Sequence, residues 1–292
     1  MTRSDSITFI EPIRKFTFES KNGIVAVDLQ VTTGATTTTT TTVAHTISKN
    51  DGDNDIVVSA GVEKETLAVR VTSATGRNRG WLSAFTGNQP RVQVHVTLPG
   101  APDAATGADP PGLHSVDIAS DCGGVKWHGP AAVRDRFRCG VAMGETRIGP
   151  LATRVLELTA DKGSVVIEDA RVAESVALTA SMGDVVARLS GFAALKATLS
   201  MGALKADLAP APASRSELIN SMGELSVTVA KFLGRFEANV SMGDASVYAP
   251  GGIRRTANAG SLSGFVGDEN AKDPAFISLK NSMGSVKLEF LD

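Results

Sequence analysis

Six of the seven methionines, Met143, Met182, Met201, Met222, Met242 and Met283, are followed by glycine, and five of these six are preceded by serine. With 29 glycines in 292 residues, six such pairs would arise by chance about once in a million sequences, so they mark an internal repeat. Taking the glycine as origin extends the series to Gly123, Gly144, Gly163, Gly183, Gly202, Gly223, Gly243, Gly264 and Gly284, spaced by 19 to 21 residues. A period near twenty is too short for a globular domain and fits one coil of a solenoid.

Within each unit the apolar residues alternate as they do in a half-buried strand. Seven and five residues before the glycine stand pairs such as Val176 and Leu178, or Phe236 and Ala238; two and four after it stand Val185 and Ala187, or Leu225 and Val227. The parity is odd before the glycine and even after it, so the chain changes phase there, at a residue free to take positive φ. The pattern predicts strand, tight corner, strand, looser corner: an all-β chain folded as a parallel β-helix (β-solenoid) of about nine rungs. Met143, Met182, Met201, Met222, Met242 and Met283 continue the inward parity. They are expected to fill the corner beside Gly144, Gly183, Gly202, Gly223, Gly243 and Gly284 as an internal thioether column, with the serines outside. On that reading Met222→Asp would bury a charge and be severely destabilising.

The first third is less regular. Phe16 to Leu29, centred on Gly23, fits one isolated unit, and the segments 56–60, 66–73 and 91–98 read as strands, the last with Val92, Val94, Val96 and Leu98 on one face. Thr36 to Thr42 reads as a solvated loop, 50–55 as an acidic turn, 76–90 (with Trp81 and Phe85) as a loop packed over the cap, and 99–112, rich in Pro, Ala and Gly, as a linker. These features divide the chain into an irregular β-rich N-terminal cap with the first rung over 1–112 and a regular solenoid over 113–292. The last rung ends in Leu288, Phe290 and Leu291 with nothing after it to cover a free strand edge, so self-association or a protein partner is expected at the C-terminal solenoid end.

Composition narrows function mainly by exclusion. Twenty-nine Lys and Arg against 31 Asp and Glu disfavour a wholesale nucleic-acid binder. No apolar run is long enough to span a membrane, and no signal peptide precedes the first strand. The default location is therefore the cytoplasm, with the cell surface reachable by a route the sequence does not mark. Two cysteines, Cys122 and Cys139, are too few for a disulfide framework, and His45, His95, His114 and His128 lack metal-ligand spacing. No nucleophile elbow, phosphate loop or dinucleotide fingerprint occurs. No catalytic, cofactor-binding or metal-binding residue is assigned and no cofactor is expected.

Several outward columns remain. The acids after the glycine include Glu224 and Asp244, placed in adjacent rungs by the period, where two carboxylates could share a proton or act on a glycan. Glu168, Arg188 and Asp207 alternate in sign as an ion ladder, Val166 and Val186 form an apolar strip, Thr159, Thr179 and Thr198 form a hydroxyl column, and Arg134, Arg136, Arg138 and Arg147 cluster near the second rung.

The strand–Gly–strand units, with the Phe16–Leu29 unit and the Val92–Leu98 strand ending in Pro99-Gly100, resemble the bacterial adhesin-like β-strand-repeat family, whose function is unknown. Adhesin-like domains of fungal proteins with Ser-Met-Gly turns are similar too. The resemblance implies a parallel β-helix and supplies no catalytic residues. The reading is a non-enzymatic structural or interaction scaffold; the alternative is a polysaccharide-binding or polysaccharide-cleaving β-helix protein, with a glycan as its ligand.

Overall fold

Alternating aliphatic and polar residues, with glycine at the phase change, produce strands throughout, and no helix occurs among the described residues. The structure, a computed structural model, describes residues 2–10, 12–20, 26–33, 40–48, 56–73, 91–98, 113–129, 132–249, 253–267 and 272–291. The acidic turn at 50–55, the Trp81 and Phe85 loop and the linker at 99–112 lie outside the described residues. The chain divides into two compact units, Met1–Leu151 and Ala152–Asp292.

The first unit contains β1 (Thr2–Phe9), β2 (Lys15–Ser20), β3 (Ala26–Thr33), β4 (Thr41–Ser48), β5 (Ile56–Glu63), β6 (Thr66–Ser73), β7 (Arg91–Leu98), β8 (Leu113–Ser120), β9 (Val125–His128), β10 (Ala132–Met143) and β11 (Thr146–Ile148). Two parallel ladders run side by side. In one, β2 lies between β6 and β8, and β8 pairs onward with β10. In the other, β3 lies between β7 and β9, and β9 pairs with β11. The isolated early unit is therefore a true rung, but it stacks second: the later β6 and β7 lie outside it. Antiparallel strands cover that end, β5 on β6, β4 on β7 and β1 on β4. Of the expected Thr36–Thr42 loop, residues 36–39 lie outside the described residues, and its end is strand. Thr41 and Thr42 open β4, and Thr41 is fully buried, because β4 must cover the exposed edge of β7.

In this unit Trp127 is completely buried, with its ring 4.9 Å from Phe137 in a T-shaped contact and 6.4 Å from Phe16. Val92, Val94, Val96 and Leu98 all point inward, as their alternation requires.

The second unit contains β12 (Leu151–Lys162), β13 (Val165–Met182), β14 (Val185–Ser190), β15 (Ala194–Met201), β16 (Leu204–Ala209), β17 (Arg215–Met222), β18 (Leu225–Ala230), β19 (Gly234–Ala249), β20 (Ile253–Val266), β21 (Ala275–Met283) and β22 (Val286–Leu291). Successive coils pair in parallel, β13 with β15 and β17 on one ladder and β13 with β14, β16 and β18 on the other.

Two expectations fail at the end of this unit. The Gly264 segment is not a parallel rung: β20 runs antiparallel to β19 along almost its whole length. The last rung is not the open end either. Strands β21 and β22 are inserted between β17 and β18 on one side and β19 on the other. The antiparallel hairpin thus caps the stack, and the C-terminal strands have backbone partners on both edges, so they offer no template for another chain. No helix of the structure, among the described residues, is long and apolar enough to cross a membrane.

Candidate functional site

The tight corners form one continuous feature of the second unit. Gly183, Gly202, Gly223, Gly284 and Gly243 hold φ between +126° and +130°, a region closed to other residues without strain. A Cβ at Gly202 would collide with the Gly183 carbonyl oxygen, one at Gly223 with that of Gly202, one at Gly284 with that of Gly223, and one at Gly243 with that of Gly284. Glycine is required twice over, by backbone angle and by the approach of the neighbouring coil. The hydrogen bonds give the same order: Gly202 N–H donates to Met222 O at 3.0 Å, Gly223 N–H to Met283 O at 2.9 Å and Gly284 N–H to Met242 O at 2.8 Å.

The methionines stand outside this corner, which corrects the expected internal column. Met182, Met201, Met222, Met283 and Met242 are 37–56% exposed, and Met143 of the first unit is comparably exposed. Inward parity holds seven, five and three residues before the glycine, as at Val176, Leu178 and Ala180, and then stops. The glycine backbone of the next coil fills the corner interior, so a thioether has no room there and turns to solvent. Strand register pairs Met182 with Met201, Met201 with Met222, Met222 with Met283 and Met283 with Met242. Five thioethers therefore form an exposed ladder in an order that the sequence does not follow.

Asparagine occupies the last inward position in two of these coils, a pair that sequence reasoning did not single out. Asn220 Nδ2 donates to Gly202 O at 3.0 Å and Asn281 Nδ2 to Gly223 O at 2.8 Å, both from buried positions. They tie the corner carbonyls of one coil to the next. The available signal was a polar residue at an inward parity.

Glu224 and Asp244 do not form a pair. Leu225 N–H donates to Ser285 O at 2.9 Å, so the coil carrying Ser285 separates them, for the same reason that the last rung is internal. Two coils at about 4.8 Å each put the carboxylates too far apart to share a proton. Asp184, at the equivalent position, accepts the Ala203 N–H at 2.9 Å, a structural use of a corner acid. Arg188 and Asp207 are neighbours in register with Nε and Oδ2 3.9 Å apart, exposed enough for the pair to contribute little. Thr179 and Thr198 are also in register, and the column then continues into Ile219. Arg147 faces Glu145 at 3.8 Å, and His114 faces Asp135 at 3.9 Å.

Two surface features gather polar groups. In the first unit a cleft of about 590 Å³ is lined by Asp28, Gln30, Gln93, His95, Lys126 and Glu145. Cys122 also borders it, but burial, then the Asp28 and Asp121 charges, raise its pKa and keep it a protonated thiol. Cys139 is fully buried, and desolvation with the Asp117 charge pushes its thiol up to about 12. Neither is set up as a nucleophile. In the second unit Lys280 Nζ donates to Glu217 Oε1 at 2.9 Å, and that hydrogen bond, with the lysine charge, lowers the Glu217 pKa. Among the described residues no three His, Cys, Asp or Glu side chains converge as a metal-binding group.

A family model described as Toastrack DUF4097 matches residues 23–289, which takes in β3 but not β2 of the early rung, the whole corner series from Gly123 to Gly284 and all but the end of β22. The chain belongs to the Toastrack DUF4097 family. No curated protein matches it. Solved structures similar to this Toastrack chain include a candidate adhesin from Bacteroides fragilis, at 12% identity over 98% of this chain and 97% of that one, with a TM-score of 0.45. A candidate cell adhesion protein from Clostridium sporogenes is 11% identical, with all of both chains covered and a TM-score of 0.35. A candidate adhesin from Parabacteroides distasonis is 9% identical over 100% of this chain and 97% of that one, with a TM-score of 0.38.

Proposed function

We propose that this Toastrack chain is a non-enzymatic interaction scaffold that associates with a second copy of itself through the side of its parallel coils. One observation carries the reading. In the second unit outward side chains are held in register from coil to coil, with ion pairs such as Arg188–Asp207 and Lys280–Glu217 on the exposed surface. The C-terminal rung is not offered as the contact, since both of its edges are occupied. Val166 and Val186 are neighbours in register, and Val186 is largely exposed, so they supply an apolar strip on a side face. Sedimentation across a concentration series tests this: the parent should associate and Val166→Asp with Val186→Asp should not. A parent that stays monomeric throughout, or a double variant that associates equally, would overturn it.

The polar cleft of the first unit favours a second reading, glycan binding, because carboxylate, amide, imidazole and ammonium groups there suit a hydroxyl-rich ligand. A glycan array, with a reducing-end assay for cleavage, decides it; no retained glycan would remove it.

A further inference from the structure

We infer that the exposed methionine ladder binds a soft monovalent metal ion, Cu(I) or its air-stable analogue Ag(I), between thioethers of neighbouring coils. The ladder comprises Met182, Met201, Met222, Met283 and Met242, paired in that order through strand register. Soft thioethers select Cu(I) over the harder divalent ions. Neighbouring coils lie about 4.8 Å apart. Two metal–sulfur bonds of about 2.3 Å each, the length found for zinc, span nearly that distance when placed end to end. A two-coordinate ion therefore fits between adjacent coils without moving the backbone.

Three further features favour the site. The corner backbone is rigid, because each glycine is locked by its φ and by the carbonyl of the next coil, so the methionines are presented at fixed spacing. The side chains stand in solvent, where an ion can reach them. Asp184, Glu224 and Asp244 follow two residues after Met182, Met222 and Met242 and place negative charge along the same edge, which draws a cation toward the neutral sulfurs. This inference is independent of the proposed self-association, which uses a different face.

The test uses the full chain with Cys122→Ser, to remove the more accessible thiol, and with ¹³C-labelled methionine methyl groups titrated with Ag(I). The ladder methyl resonances should shift together, while that of Met143, whose neighbouring corner in its unit then carries a hydroxyl, stays in place. Two double variants decide whether adjacency matters. Met182→Leu with Met242→Leu leaves three contiguous thioethers and should retain the shifts. Met201→Leu with Met283→Leu also leaves three, but none adjacent, and should abolish them. Leucine conserves volume at these exposed positions, so both variants should melt like the parent. Unshifted ladder resonances in the parent, or identical responses from the two variants, would overturn the inference.

Discussion

The regular coils of the second unit and the end coils of both units solve the same packing problem with different side chains. Between Val165 and Ala230 the interior is filled mainly by Leu, Val and Ala with Ile167, and Phe192 is the one aromatic in that stretch. In the first unit, where an early rung is inserted beneath later ones, the interior holds Phe16, Phe18, Trp127 and Phe137. Where the last rung is inserted in the second unit, Phe290 stacks on Phe232 at 5.1 Å and meets Phe236 at 5.4 Å. Equal successive coils interdigitate with thin aliphatic layers. Coils brought together from distant parts of the chain are filled by aromatic bulk, each ring burying on the order of 150–250 Å².

The sharpest way to break this contrast is at a corner of the regular stack. Gly202→Val forces a side chain into a positive-φ position against the Gly183 carbonyl and should cost about 3–5 kcal/mol or more in urea unfolding. Gly61→Ala, at a position with nothing within 4 Å of a new Cβ, should stay within about 0.5 kcal/mol. A mild effect at Gly202 would mean that the coils are loosely held.

Next in size, Trp127→Ala tests the aromatic filling of the first unit and should cost about 3–5 kcal/mol, read from the denaturant midpoint. If the loss were instead below about 1 kcal/mol, bulk at the inserted rung would not be what holds it.

The third effect depends on pH. The folded Cys139 pKa, at about 12, lies above the unfolded value of 9.0, so its contribution is intact below pH 9 and is lost as pH rises from 9 toward 12. The loss runs at up to about 1.4 kcal/mol per pH unit. Stability measured from neutral to alkaline pH should fall along this limb, and Cys139→Ala should flatten it; an equally steep limb in the variant would assign the effect elsewhere.

The smallest effect separates the two columns of a single corner. Met222→Asp, beside a glycine that tolerates nothing, should change stability by less than about 1 kcal/mol, because Met222 is 46% exposed. A severe loss would return this side chain to the core.

Strand alternation, the glycine corners and the segments at 66–73 and 91–98 were legible in the sequence, because burial on one face of a strand leaves a period of two. Three things were not. Parity assigns Met222 to the interior, but the space there belongs to the backbone of the next coil, which no residue pattern records. The spacing of Gly264 fits the period, yet a hairpin arm as long as a coil satisfies the same spacing, and β20 pairs with β19 on both sides of one bulge between Val240 and Asp244. The order of stacking was invisible for the same reason, and with it went the pairing of Glu224 with Asp244 and the ladder order through Met283. The buried Asn220 and Asn281 broke the apolar pattern, and that break was the trace of their bonds to the corner carbonyls.

The inserted final rung has a consequence for how the chain is made. A nascent polypeptide leaves the ribosome with the capping hairpin synthesised before the layer it must cover. The cap cannot dock in its final place until the last residues have emerged, or it must lift to admit them. A premature stop after residue 270 would therefore remove an interior layer, leaving two unpaired ladders facing an empty slot.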